Sequence, residues 1–269
     1  MNLLRIRLVF MFFLCAAQLL NAQVEPLKHG HAHNDYVHKR PLFEALENEF
    51  TSIEIDVFLH NNQLVVSHIG VGLNSKKTIE ELYLNPISKV IEQNGGTVYK
   101  GYNTPVIFMI DFKTNSTATY LKLKEVLKNY ESIITVYHKD SIVRFRPVQI
   151  LISGRSPIAE LMQEDTAFAT VDGDLFAISN STYDKVITRY STAWERYFTW
   201  KGNGEMPFEQ KQQLDFLVEK AHAKNKNIRF YHIPDKPDCW RVLLNAGVDW
   251  INTNRLSAFR KYFHTEYRR

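Results

Sequence analysis

Val106-Ile107-Phe108-Met109-Ile110 is an unbroken apolar run that stops at an acid, Asp111. A run of that kind suits a strand covered on both faces, the condition of a parallel sheet clad in helices. Similar short runs recur at 27–33, 52–59, 133–137, 148–152, 228–233 and 248–252. Residues 168–171 and 186–191 are both strand-like, and the second is preferred as the remaining long strand. Between the runs lie stretches of helical period. Tyr120, Leu123, Leu127 and Tyr130 follow 3-4-3 spacing, and Leu214, Leu217, Val218 and Ala221 share one face. Gly247 offers a stop after the helix predicted from Pro237. About eight strands alternating with helices predict an α/β fold, a single (β/α)₈ TIM barrel. No linker or low-complexity segment divides the chain.

A barrel of this kind places its chemistry at the C-terminal ends of the strands. The polar residues gather there. His31 and His33 close the first run, Asp111 and Lys113 follow the third, Arg155 follows the fifth and Asn252 ends the last. The second run, Ile53-Glu54-Ile55-Asp56-Val57, has its two acids at i and i+2, so they point to the same face. Two unpaired carboxylates held that close repel one another, and burial raises the cost. A hard divalent cation removes the conflict, because it takes oxygen ligands. Asn61-Asn62 signals a turn, and Leu64–Ser67 returns as a short strand that brings His68 back towards the acids.

The first 22 residues have the order of a secretory signal: Arg5 and Arg7, then the apolar stretch Leu8–Leu20, then Ala22. This predicts a signal peptide over 1–22, a barrel domain over 23–269, and a secreted or periplasmic protein with no stable membrane span once processed. Losing Arg5 and Arg7 lowers the formal charge of +4 by two. So small an excess, with no basic run among the aromatics, argues against a nucleic-acid partner. Cys239 is the only cysteine beyond Cys15, which leaves no internal disulfide to hold the fold.

His31-Ala32-His33-Asn34-Asp35-Tyr36, Glu54-Ile55-Asp56, Val66-Ser67-His68 and Asp111-Phe112-Lys113 together resemble one superfamily of phosphodiesterases. It unites phosphatidylinositol-specific phospholipase C, glycerophosphodiester phosphodiesterase and sphingomyelinase D. The tail, with Arg229-Phe230-Tyr231 and Gly247–Asn254, is similar to an exported bacterial branch of it. The resemblance implies Glu54, Asp56 and Asp111 as ligands of Mg²⁺ or Ca²⁺. It implies His33 and His68 as catalytic acid and base, and Lys113 on the substrate side. His31 shares the face of His33, so either can be the first catalytic histidine; His33, nearer the strand end and followed by Asn34, is preferred. Arg155, Asn34, Asn252 and Trp200 are further candidates for binding a small phosphodiester or phospholipid substrate. Trp200 is equally readable as core packing. The family's glycerophosphodiesterases carry Arg-Gly after the first histidine, where this chain has Asn34-Asp35. Two other readings stand beside this one. An amidohydrolase-like or polymerase-and-histidinol-phosphatase-like site also begins with His-x-His, but needs further histidines on later strands. A non-catalytic binding protein can keep the same barrel.

Overall fold

The computed structural model describes residues 25–178 and 181–268. Eight parallel strands follow one another round a closed barrel: β1 (Leu27–Ala32), β2 (Phe50–His60), β4 (Val106–Phe112), β7 (Val148–Gly154), β8 (Ala169–Asp174), β9 (Ile187–Ala193), β10 (Asn227–Tyr231) and β11 (Trp250–Thr253). β1 pairs with both β2 and β11, which closes the ring. A short β3 (Gln63–Val66) lies antiparallel to β2. The turn between them has Asn61 and Asn62 at φ 47° and 59°. Positive φ at both central residues matches the twist of a two-residue hairpin, and asparagine tolerates it.

On β2 the outward residues Ile53, Ile55 and Val57 are fully buried under the helices. Each contributes roughly 1.5–3 kcal/mol by leaving water. The cladding helices are α1 (Phe43–Glu47), α2 (Asn85–Gln93), α3 (Ser116–Lys128), α4 (Ile158–Gln163), α5 (Phe208–His222), α6 (Pro237–Asn245) and α7 (Leu256–Tyr262). α3 starts where the Asn115 side chain accepts a hydrogen bond from the Ala118 amide, and it buries Tyr120, Leu123, Val126 and Leu127. Cys239 and Trp240 lie on the buried face of α6.

The barrel is the expected one, but two of its strands differ from the sequence reading. The run 133–137 is not a barrel strand. Its end forms β5 (Val136–His138), which pairs with β6 (Ser141–Arg144) in a separate hairpin. Both strand-like stretches enter the ring: that around 168–171 is β8, and it stands beside β9, the preferred one. β8 is a weak apolar signal because its inward positions carry Thr170, Asp172 and Asp174 rather than apolar residues. The inward face of this barrel is polar near its C-terminal end, so apolarity was a poor guide there.

Candidate active site

β2 turns Glu54 and Asp56 inward, and parallel pairing sets Asp56 directly beside Asp111 of β4. One carboxylate oxygen from each of Glu54, Asp56 and Asp111 lies within 4.8 Å of the other two. Fixed donors hold each acid by one oxygen. Glu54 Oε2 is 3.1 Å from His31 Nε2 and 3.3 Å from Arg229 Nη1. Asp56 Oδ2 lies 3.0 Å from Lys113 Nζ, 3.1 Å from His68 Nδ1 and 2.7 Å from the Tyr36 hydroxyl. Asp111 Oδ2 is 3.0 Å from the same lysine. The second oxygen of Asp56, Oδ1, is buried with no hydrogen-bond partner. A buried carboxylate oxygen without a donor is costly, and a shared cation among three such acids is a physical remedy. Gly154, at φ +69°, makes room for the cluster. A Cβ there would stand 2.1 Å from Asp111 Oδ1 and 2.8 Å from the Phe112 carbonyl oxygen.

Below the acids the barrel core is ionic. Arg229, buried, reaches Glu54 and Asp172, the latter at 3.3 Å through Nη2. It also donates to Asn252 Oδ1 at 2.9 Å and, through Nε, to Ser191 Oγ at 3.0 Å. Ser191 in turn donates to Asp172. Burial drives the Glu54 carboxyl upward, but the His31 hydrogen bond and the Arg229 charge outweigh it and hold the group at about 2. Burial, reinforced by the charge of Arg229, pulls the His31 imidazole down to about 3. Burial also raises Asp111 and Asp172, against the pull of Lys113 and Arg229 respectively.

A polar cavity of about 520 Å³ opens above this layer. His33, Asn34, His68, Lys113, Asp172 and Arg229 are among the residues that line it. Asn34 follows β1 in the left-handed region (φ 50°, ψ 45°), a conformation asparagine adopts more readily than most. The two cavity histidines are anchored in the same way. His33 Nδ1 is 2.9 Å from Asn254 Oδ1, and His68 Nδ1 is 3.1 Å from Asp56 Oδ2. Each ring thus donates through Nδ1 and is left with Nε2 for proton transfer.

The structure separates the two leading histidines. His31 is fully buried inside the barrel, tied to Ser52 and Glu54, and does not reach the cavity. A direct catalytic role for His31 is therefore corrected: its place is to hold Glu54. Three binding candidates are also corrected. Trp200 packs into the core, its Nε1 donating to the Asn203 carbonyl oxygen. Arg155 is exposed and outside the cavity lining, because Gly154 turns the chain away and the Arg155 amide bonds back to Phe112. Asn252 is buried and engaged with Arg229 rather than facing the cavity. Sequence reasoning gave no role to Arg229, Asp172, Tyr36, Ser52 or Arg189. One signal was present: an arginine between Ile228 and Phe230 in a short buried strand has nowhere to point but inward.

A closed α/β barrel with an acid cluster and two histidines at its C-terminal mouth is the architecture here, and its fold is shared with solved phosphodiesterases. A glycerophosphodiester phosphodiesterase from Parabacteroides distasonis superimposes with a TM-score of 0.55 at 15% identity, covering 90% of this chain and 99% of that one. A putative glycerophosphoryl diester phosphodiesterase from Agrobacterium tumefaciens gives 0.52 at 10% identity, with coverage of 90% and 99%. The chain belongs to the family of the AIM6-like phosphodiesterase domain, whose model matches residues 18–171, more than half of it. Altered inheritance of mitochondria protein 6 from Eremothecium gossypii is 29% identical over 92% of this chain and 72% of its own. Its homolog from Arthroderma benhamiae is 24% identical, over 87% and 83%. These relatives are fungal and carry a mitochondrial name. They overturn the expected exported bacterial branch and, with it, the secreted or periplasmic location. The segment read as a signal peptide, 1–22, lies outside the described residues. No helix of the described residues is long and apolar enough to cross a membrane.

Proposed function

We propose that the chain is a divalent-cation-dependent phosphodiesterase acting on a small glycerophosphodiester or phospholipid-type substrate. The observation that carries this reading is the convergence of Glu54, Asp56 and Asp111, with Asp56 Oδ1 buried and unpartnered beneath two histidines that face one cavity. Those three carboxylates would hold Mg²⁺ or Ca²⁺, since an all-oxygen donor set suits hard cations. Bound there, the cation supplies charge neutralisation to a phosphoryl oxygen. Lys113 and Arg229 add fixed positive charge on the cavity wall. His33 and His68, each anchored through Nδ1, exchange protons with the attacking and leaving oxygens through Nε2. Asn34, on the cavity lining, takes the place of the arginine that glycerophosphodiesterases carry after the first histidine.

The all-carboxylate cluster speaks against an amidohydrolase-like centre, which needs imidazole ligands; His232 lines the cavity but its Nδ1 is 3.1 Å from Glu195. The test is hydrolysis of bis-p-nitrophenyl phosphate and a panel of glycerophosphodiesters with Mg²⁺, Ca²⁺ or EDTA present. Turnover should require the cation, and Glu54→Gln should abolish cation binding while the protein stays folded. Full activity in EDTA sinks the proposal.

A further inference from the structure

Beneath the acid cluster a file of buried polar groups runs along the barrel interior from Arg189 through Ser52 and His31 to Glu54. Arg189 is buried, with its guanidinium 4.6 Å above the Trp250 ring and Nη1 3.7 Å from Met109 Sδ. Its Nη2 lies 3.2 Å from Ser52 Oγ, and Ser52 Oγ lies 2.7 Å from His31 Nδ1.

From these contacts we infer that Arg189 and Ser52 are positioning residues that fix the His31 ring with its proton on Nε2, so that Glu54 is held by Oε2 and turns Oε1 to the cation. The inference rests on the cation-binding role proposed above for the cluster.

Donor counting carries it. Arginine has no acceptor, so the Arg189 contact can only be a donation to Ser52 Oγ. The Ser52 hydroxyl proton then needs an acceptor of its own. Among the described residues the one placed to receive it is His31 Nδ1. Nδ1 is therefore unprotonated, the proton is on Nε2, and it points at Glu54 Oε2, 3.1 Å away. Arg229 sets the competing count. Its Nη1 has two protons, and two oxygens stand ready for them: Asn252 Oδ1 at 2.9 Å and Glu54 Oε2 at 3.3 Å. The third neighbour, His31 Nε2 at 2.9 Å, competes with them: a donation from Nη1 to that atom would require the His31 proton on Nδ1, and this is the arrangement the experiment distinguishes. In the opposite tautomer Arg229 would donate to Nε2. Ser52 would then face an N–H, its own proton would have no acceptor, and Glu54 would lose a donor. The order of command thus runs from a guanidinium deep in the barrel to the aim of a carboxylate at its mouth. Partners behind a ligand that fix its orientation are worth about 10–100-fold in metal affinity.

The experiment is nitrogen NMR of the full chain labelled at histidine and free of metal, with His31 assigned by the signals lost in His31→Gln. The expected pattern is a pyrrole-like Nε2 and a pyridine-like Nδ1; the reverse pattern overturns the inference without any variant having to fold. Arg189→Met removes the donation to Ser52, so His31 should populate the Nδ1–H form, and calorimetric titration with Mg²⁺ or Ca²⁺ alone should show affinity falling about 10–100-fold. Arg189→Lys keeps one donor and should restore both. Ser52→Ala is the second variant and should release the ring in the same way. A single Nε2–H form in both Arg189→Met and Ser52→Ala, or unchanged cation affinity once the ring is released, also overturns the inference. A wild-type protein that cleaves no phosphodiester yet binds the cation and shows the expected tautomer refutes the proposed activity and leaves this inference standing.

Discussion

Replacing Gly154 by alanine tests the acid cluster through its packing rather than its charge. The new Cβ would meet Asp111 Oδ1 at 2.1 Å, Asp111 Cγ at 3.1 Å and the Phe112 carbonyl oxygen at 2.8 Å. The carbonyl belongs to a strand and cannot rotate away, so Asp111 must move. To reach ordinary contact its Oδ1 has to withdraw from 2.1 Å to beyond 3.4 Å. Ligand distances in a working metal site hold to within about 0.2 Å, so a shift of that size removes the ligand. The backbone adds to the cost: φ +69° is strained for any residue with a Cβ, by roughly 1–2 kcal/mol. Overpacking adds about 1–3 kcal/mol. Urea unfolding should therefore show a loss of roughly 2–5 kcal/mol, and calorimetry should show at least about a tenfold loss of Mg²⁺ or Ca²⁺ affinity, some 1.4 kcal/mol. Gly204→Ala is the matched control. Its φ is +63° with nothing within 4 Å of the added Cβ. It should lose only the roughly 1–2 kcal/mol of backbone strain and bind cation as before. If Gly154→Ala behaves like Gly204→Ala in both measurements, Asp111 is not a ligand held in place by that glycine.

His33→Asn and His68→Asn should each lower kcat by about 10²–10⁴-fold with cation affinity preserved, whereas His31→Asn should weaken cation binding, as read by calorimetry beside turnover. Arg229→Met strands Glu54 and Asp172 without their shared counter-charge. It should cost about 3–5 kcal/mol in urea unfolding, and adding Asp172→Asn should recover part of that loss; a double variant as unstable as an additive pair would contradict the buried pairing. Cys239 is buried and its thiol is pushed well up by that burial. It should resist a thiol reagent in the native protein and react once the chain is unfolded.

The outward half of this barrel was legible in the sequence and much of the inward half was not. Apolar runs such as Val106–Ile110 announce strands because their outer faces must meet helices. The pairing of Glu54 with Asp56 was legible because period two admits no other placement on a strand. Their grouping with Asp111 followed from the ends of neighbouring strands. Arg229, Asp172 and Arg189 escaped notice because a charged residue alternating with apolar ones is the usual mark of a solvent-facing position. Only the closure of the ring turns that face inward, and the apolar neighbours Ile228 and Phe230 of Arg229 are the one local sign of it. The two histidines at 31 and 33 share a face, so period alone does not divide them; His33 is preferred for its place nearer the strand end, and depth along the barrel axis is what separates the two in the structure.

The contacts that complete the centre join the two ends of the chain. His33 is steadied by Asn254 across 221 positions, and His31 meets Arg229 across 198. During synthesis the acids on β2 and β4 are made early together with Lys113, Tyr36 and His68, yet the Arg229 charge beside Glu54 and the Asn254 contact to His33 arrive with the last strands. Long-range closure of this sort slows folding, because the loop entropy is lost before the contacts form. A nascent or clipped chain lacking β11 and the residues after it would thus carry the acids of the centre without the Asn252 contact to Arg229 and the Asn254 anchor of His33. Completion of the chain is therefore the step that brings the anchor of His33 and the counter-charge of Glu54 into place.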